Sequence, residues 1–167
     1  HIAKEKNIFQ KINSPNLNNL IPSNYKDKEN YWFGMSLRAR FLVYNKDKVN
    51  ISELGGYIDL AKKKWNGKIL VRSSSNVYNQ SLVSAMLINY GERKVKLFLE
   101  SFNRNLARKP SGGDRDQIRA IISGQGDIAL VNTYYFLKMK SQDSENKLKN
   151  IKEYFPNDLA ISITCSW

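Results

Sequence analysis

Two short apolar runs, each followed by polar residues and then by a helical pattern, constrain the fold of this chain more than any other feature. Residues 68–71 (KILV) and 128–131 (IALV) are predicted to form buried strands because they are short, apolar and bounded by polar residues. A helix is predicted after each strand, over about 79–90 and from residue 134 onwards. Short strands that alternate with helices indicate an α/β domain.

Start and stop signals delimit the helices in the middle of the chain. Asn79 is predicted to cap the first helix and Gly91 to end it. A second helix is predicted over about 92–105. The third is predicted to begin with Asp114 as its N-cap, because Gln117 follows three residues later in a capping-box pattern.

A further strand is predicted from Phe33 to Tyr44 (FGMSLRARFLVY). Arg38 and Arg40 would share one face of this strand, because the side chains of a strand alternate between its two faces. The simplest interpretation of either arginine is a charge on the strand that pairs with a carboxylate.

The charge of the chain is strongly basic: 27 Lys and Arg residues stand against 15 Asp and Glu residues, a net charge of +12. This balance is typical of proteins that bind nucleic acid, acidic lipid or an anionic ligand. The basic residues are mostly Lys, and Asn is also abundant, which equally fits the composition of an AT-rich genome. They are scattered and form no nucleic-acid-binding motif, so a basic nucleic-acid-binding domain is the distant alternative and no nucleic-acid partner is expected.

Residue types that perform catalysis are scarce. His1 is the only histidine and Cys165 the only cysteine, so no Ser-His-Asp or Cys-His arrangement is evident and no internal disulfide is possible. A metal cluster built from cysteines is excluded as well. No run approaches the 18 or so apolar residues that span a bilayer, and no signal peptide is visible. We therefore expect a protein that is neither an enzyme nor membrane-spanning.

Three tyrosines lie where α/β proteins hold ligands, in the segments that lead from strands to helices. Tyr78 comes just before the helix that follows the first apolar run, and Tyr134 and Tyr135 begin the helix after the second. Phenolate is an anionic oxygen donor, which hard and highly charged cations such as ferric iron prefer. Adjacent helix residues point about 100° apart, so Tyr134 and Tyr135 could share one ion only at the helix mouth. A chance pair, with one core ring and one surface ring, is the alternative.

Four segments of the chain resemble periplasmic ferric-iron-binding proteins, the substrate-binding subunits of iron ABC transporters and relatives of the bacterial transferrin-like group. Two carry the tyrosines, 72–83 (RSSSNVYNQSLV) and 132–135 (NTYY). The others are 32–40 (WFGMSLRAR) and 114–120 (DRDQIRA). The similarity extends from about residue 5 to 156.

The resemblance implies a periplasmic-binding-protein-like α/β fold of the type II clamshell, of which this chain holds mostly the second lobe. Residues 1–43 would be the end of the first lobe and a hinge strand, 44–156 the second lobe, and 157–167 a tail that matches poorly. Pro156 is the last residue that fits the family well. A ligand-bearing segment near the family's N-terminus has no counterpart here, so the chain resembles a truncated form.

The resemblance also implies the ligand set and its surroundings. Tyr78, Tyr134 and Tyr135 would bind Fe(3+), with an anion or water completing the coordination of the ion. Arg38 in the first place, and Arg40 in the second, would lie near the metal. His1 is not a substitute for the missing ligand, because the sequence around it resembles a later part of the first lobe.

The expected setting is the periplasm, where a monomer would deliver ferric iron to the inner-membrane permease of an ABC importer. The site of this chain would be incomplete, so we expect weaker iron binding than in a full-length relative. A solute-binding protein for an anionic ligand is the alternative within the same class. In that case the loop Ser73–Ser75 would hold the anion through its backbone N–H groups.

Overall fold

The structure is a computed structural model, which describes residues 2–158. The chain divides into two compact units, of which the first ends at Arg38 and the second begins at Ala39. The assignment of lobes to 1–43, 44–156 and 157–167 stays a prediction, and most of the last segment lies outside the described residues. Among the described residues, no helix is long and apolar enough to cross a membrane.

The first unit consists of short helices and turns. Helix α1 spans Ile2–Glu5 and helix α2 spans Pro15–Leu20, followed by a 3-10 turn at Ser23–Tyr25. The carboxylate of Asp27 organises the turn that follows, since it accepts hydrogen bonds from the backbone N–H groups of Glu29 and Tyr31 at 3.0 and 3.2 Å.

The second unit is built on a four-stranded mixed sheet with the strand order β2-β3-β1-β4. The strands are β1 (Arg40–Asn45), β2 (Ile69–Leu70), β3 (Ile128–Asn132) and β4 (Ile151–Tyr154). Strand β1 is antiparallel to both β3 and β4, whereas β2 and β3 are parallel. The two apolar runs of the sequence are therefore neighbouring parallel strands, and the α/β class is confirmed.

Both faces of this sheet are covered, which explains why its strands are apolar without alternation. One face packs against α3 (Val77–Tyr90), α4 (Glu92–Arg104) and the 3-10 helices between Ile51 and Trp65. The other face packs against α5 (Asp114–Ile122) and α6 (Thr133–Ser141). Helices α3 and α4 join directly through Gly91, whose φ of 77° lies in the region that favours glycine.

The predicted strand from Phe33 to Tyr44 begins too early, because β1 starts only at Arg40. Met35 and Leu37 are 67% and 57% exposed, so the apolar residues before β1 do not face the core. Arg38 precedes the strand and does not share a strand face with Arg40.

Two predicted helix caps are wrong. Helix α3 begins at Val77 with Asn76 as its N-cap, so Asn79 lies inside the first turn. Helix α5 has Gly113 as its N-cap, and the carboxylate of Asp116 accepts a hydrogen bond from the Gly113 N–H at 2.7 Å. Asp114 is the first helical residue and its side chain bonds elsewhere. In both cases the cap lies upstream of the residue that the sequence pattern favoured.

Candidate functional site

The three tyrosines lie in the first turns of α3 and α6. Tyr78 is the second residue of α3, and Tyr134 and Tyr135 are the second and third residues of α6. The two helices follow β2 and β3, which are parallel neighbours paired at Leu70 and Ala129. Because the carboxyl ends of parallel strands meet at one edge of a sheet, the helix starts are brought to the same place.

The structure brings the tyrosine hydroxyls together. The hydroxyl oxygens of Tyr78 and Tyr134 lie 3.4 Å apart. The rings of Tyr134 and Tyr135 have centroids 4.0 Å apart and planes tilted by 34°. All three residues are half-buried. The three phenols thus form one group, called here the tyrosine cluster, and none of them is an isolated core or surface ring.

Tyr134, in the middle of the cluster, holds its proton more tightly than an ordinary tyrosine does. The pKa of Tyr134 is raised above the ordinary tyrosine value, first by burial and then by hydrogen bonding to the hydroxyls of Tyr135 and Tyr78. A phenol with a raised pKa binds a metal by losing its proton to the medium, which a cation of high charge promotes.

Two arginines stack on the cluster. The guanidinium carbon of Arg72 lies 5.5 Å from the ring centroid of Tyr78, and that of Arg115 lies 5.6 Å from the ring centroid of Tyr135. Such contacts between a cation and an aromatic face are attractive.

Arg40 is the centre of a buried polar network at the same edge of the sheet. It is 2% exposed, and its Nη1 donates to Asp114 Oδ2 at 3.1 Å and to Asn132 Oδ1 at 3.2 Å. Its Nη2 donates to Asn79 Oδ1 at 2.6 Å and to the Leu130 carbonyl at 3.0 Å. A buried arginine requires a carboxylate partner, and Asp114 is that partner.

Asp114 is as buried as Arg40 and accepts three hydrogen bonds. Besides Arg40, it receives the Arg72 guanidinium at 3.3 Å on Oδ1 and the Asn132 backbone N–H at 2.7 Å on Oδ2. Its position at the first turn of α5 also suits a negative charge, because the helix dipole is positive there. Asp114 therefore links the start of α5 to the end of β3.

The two arginines predicted to lie near the metal belong to different units of the chain. Arg40 pairs with a carboxylate, as its simplest interpretation requires, and its place near a metal stays a prediction. Arg38 belongs to the first unit, and its role near a metal stays a prediction.

Sequence reasoning missed the contacts that Asp114, Asn79 and Asn132 make with Arg40, and it interpreted Asp114 and Asn79 only as helix caps. The signal that could have found them is Arg40, a charged residue at the start of an otherwise apolar and buried strand. Such a side chain needs a carboxylate and several oxygen acceptors nearby.

The loop proposed as an anion site is largely closed on itself. The Ser75 N–H donates to Ser73 Oγ at 3.2 Å, and the Asn76 N–H donates to the Ser73 carbonyl at 3.1 Å. The hydroxyls of Ser73 and Ser75 also bond to each other at 2.8 Å. The backbone donor of Ser75 in this loop, and that of Asn76 just after it, are thus already used.

Within residues 2–158, no group of three His, Cys, Asp or Glu side chains is placed to hold a metal. The donor set that the structure does assemble consists of phenol oxygens. Oxygen-only sites suit hard cations, and anionic oxygens favour the more highly charged ones.

Comparison with known proteins identifies the family of this chain. The family described as bacterial extracellular solute-binding protein matches residues 2–167. Iron uptake protein A2 of Synechocystis sp. is 41% identical over 93% of this chain and 46% of its own length. The Fe(3+)-binding periplasmic protein of Serratia marcescens is 28% identical over 89% of the chain and 43% of its own length.

Solved structures show the same likeness. The Trichodesmium protein IdiA (FutA), in complex with iron and citrate, has a TM-score of 0.85 and 45% identity over 93% of this chain and 50% of that one. The apo ferric ion-binding protein A of Pasteurella haemolytica has a TM-score of 0.86 and 39% identity over 96% and 51%. The chain spans about half the length of the relatives it matches. It belongs to the family of bacterial extracellular solute-binding proteins, with a fold of the ferric-binding type.

Proposed function

We propose that this chain carries the tyrosine side of a ferric-iron site, in a periplasmic protein that delivers iron to the permease of an ABC importer. The observation that carries the proposal is the convergence of Tyr78, Tyr134 and Tyr135, with two hydroxyl oxygens only 3.4 Å apart. Phenol oxygens at this spacing can bind one cation together once their protons are lost.

The chemistry of the cluster favours ferric over ferrous iron. Each phenolate adds a negative charge, which stabilises the higher charge of the ferric ion more strongly. The raised pKa of Tyr134 adds a requirement for a cation that can displace a tightly held proton. Three phenolates leave half of an octahedral ion for water, an anion or further protein ligands.

Delivery to an importer rests on the family and on its relatives. Solute-binding proteins hand their cargo to a membrane permease, and relatives of this chain are named for iron uptake and for periplasmic Fe(3+) binding. The basic surface of the chain does not require a nucleic-acid partner, since net charge alone is compatible with many surroundings.

The test is a titration of the 167-residue chain with ferric nitrilotriacetate, followed by visible absorbance. Phenolate-to-iron charge transfer should produce a visible band, and Tyr134→Phe and Tyr135→Phe should each weaken apparent affinity by about tenfold or more. Tyr154→Phe is the matched control, because the Tyr154 hydroxyl donates to the Leu54 carbonyl and not to the cluster. An unchanged band in both cluster variants would show that the iron ligands lie elsewhere.

An anion-binding protein is the second candidate, favoured by the two guanidinium groups of Arg72 and Arg115 on the cluster. Calorimetry with citrate or phosphate in the absence of iron distinguishes the two functions. Heat of binding without iron would favour the anion as the cargo. Binding of the anion only in the presence of iron would make it a partner in iron coordination.

A further inference from the structure

We propose that Arg40 is a positioning residue, which sets the separation of Tyr78 from Tyr134 by bonding to both of the helix starts that carry them. The test of this inference with iron rests on the proposed function, whereas its test on the metal-free protein does not. A single guanidinium group reaches α3, β3 and α5 at once, so one side chain fixes three elements relative to one another.

On the Tyr78 side, the contact runs through Asn79, the next residue in the chain. Asn79 Oδ1 accepts from Arg40 Nη2 at 2.6 Å. The amide nitrogen of Asn79 donates to the carbonyls of Arg72 and Ser73 at 2.9 and 3.2 Å. Arg40 thereby holds the first turn of α3, and through Asn79 it also holds the loop that precedes this helix.

On the Tyr134 side, the contacts run through the end of β3. Arg40 Nη2 donates to the Leu130 carbonyl and Nη1 donates to Asn132 Oδ1. Asn132 is the N-cap residue of α6, but its side chain makes no hydrogen bond to that helix. The side chain that would ordinarily cap α6 is used to hold β3 to Arg40.

Asp114 closes the network and extends it to the aromatic rings. Its two oxygens receive Arg40 and Arg72, and the guanidinium group of Arg72 stacks on Tyr78. The next residue, Arg115, stacks on Tyr135. The ion pair of Arg40 and Asp114 is thus connected to Tyr78 through Arg72. It is connected to Tyr135 through Arg115.

The geometry of these bonds explains why the residue is arginine. A guanidinium group is a rigid planar fork with five N–H donors, so it can hold several acceptors at set angles. An ammonium group has three donors around one point and cannot reach Asn79, Asn132, Leu130 and Asp114 together. A buried ion pair also stabilises a fold less than apolar packing does. Because Arg40 and Asp114 nevertheless bond to the elements around the tyrosine cluster, we infer that they position it.

Arg40→Lys keeps the charge and removes the fork, which makes it the test variant. Asn105→Ala is the matched control: Asn105 is also buried, and its amide donates to the carbonyls of Leu60 and Lys62, away from the cluster. The metal-free readout is the ¹³C resonance of the tyrosine Cζ atoms in labelled protein. The iron readout is the energy of the charge-transfer band and the rate of iron release to a chelator.

Arg40→Lys is expected to shift the Cζ resonances of Tyr78 and Tyr134, to move the band and to speed iron release by about tenfold or more. Asn105→Ala is expected to lower the melting temperature with the resonances and the band unchanged. Resonances that stay in place in a folded Arg40→Lys protein would overturn the positioning role. Should that variant fail to fold, Asn79→Ala is expected to shift Tyr78 and Asn132→Ala to shift Tyr134, and no shift in either would equally overturn it.

The two proposals fail in different ways. Shifted resonances together with no iron band in the unaltered chain would remove the ferric-iron function and leave the positioning role intact. A normal band in the unaltered chain, with the same band and release rate in Arg40→Lys, would remove the positioning role and leave the ferric-iron function intact.

Discussion

The helix start that carries Tyr78 has a side-chain cap from its own neighbours in addition to the bond from Arg40 to Asn79, whereas the one that carries Tyr134 has no side-chain cap and bonds to distant parts of the chain. In the first, the Asn76 side chain accepts from the Tyr78 N–H at 3.0 Å, and the loop before it is closed by its serines. In the second, Asn132 bonds to Asp114 and Arg40, which lie 18 and 92 positions away.

This difference distinguishes hydrogen bonds that form within a short segment from those that need the whole sheet. A cap formed within a few residues can form while the rest of the unit is unsettled. A helix start that bonds to a buried ion pair has its geometry only when the sheet and α5 are in place. The Tyr134 half of the cluster should therefore be the half that is more sensitive to distant substitutions.

The largest expected effect comes from Asp114→Ala. It leaves the Arg40 guanidinium group buried without its anion and removes the bond to the Asn132 N–H. We expect a loss of about 3–5 kcal/mol in the free energy of unfolding, measured by urea denaturation. Asp116→Ala, in the same helix turn but exposed, should cost only about 1 kcal/mol through its lost cap. Equal losses for the two would contradict the central place of Asp114.

A smaller effect is expected from Asn76→Ala, which removes the local cap of α3. The free energy of unfolding should fall by about 1 kcal/mol, the usual worth of a side-chain N-cap. In metal-free ¹³C spectra the resonance of Tyr78 should move, and that of Tyr135 should not. A comparable shift of Tyr135 would mean that the effect of the Asn76 cap is not local to the start of α3.

The interaction energy between the Asn76 and Asn132 side chains should be smaller still in a double-mutant cycle of Asn76→Ala and Asn132→Ala. The described hydrogen bonds of these two side chains go to different partners, Tyr78 in one case and Arg40 in the other. Substitutions without shared partners usually add, so the interaction energy should stay below about 0.5 kcal/mol. A coupling energy clearly above that value would show that the Asn76 cap depends on the contact between Asn132 and Arg40.

At alkaline pH a further effect is expected, which is absent near neutrality. The pKa of Tyr134 is raised in the folded chain, so the folded state holds this proton more tightly than the unfolded state, where tyrosine ionises near about pH 10. The resulting stability is complete below that pH and is lost as pH rises above it. Tyr134→Phe should remove part of this alkaline loss, measured as melting temperature against pH. An identical alkaline loss in Tyr134→Phe would show that this proton is held no more tightly in the folded chain.

Tyr90, at the other end of α3, is a control for this titration. Burial first, and then Asp158, raises the pKa of Tyr90 to about 12, so this residue contributes a loss in the same direction. Tyr90→Phe should remove its own share without changing the ¹³C resonances of the cluster.

Much of the fold could be predicted because the apolar residues of the sequence pattern are mostly the residues that the structure buries. The two apolar runs and the helices after them follow from periodicity, and Gly91 ends α3 as its type suggests. The wrong strand start has a physical cause: Met35 and Leu37 are apolar but exposed, and pattern alone cannot tell an exposed apolar residue from a core one.

The tyrosines of the candidate site could be predicted from the sequence, but the distances between them could not. Position after a strand places Tyr78 and Tyr134 at one edge of the sheet. The hydroxyl distance between them depends on Arg40 and Asp114, whose pairing spans 74 positions. No local pattern encodes such a contact, so Asp114 was interpreted as a cap.

The strand order of the second unit has a consequence for the order of folding. Strand β1 lies between β3 and β4, both of which are synthesised long after it. Until they emerge, both edges of β1 lack their partners, and contacts between such distant residues make folding slow. Because α6 follows β3 in the chain, the tyrosine cluster can be complete only after β3 has been synthesised and has joined the sheet.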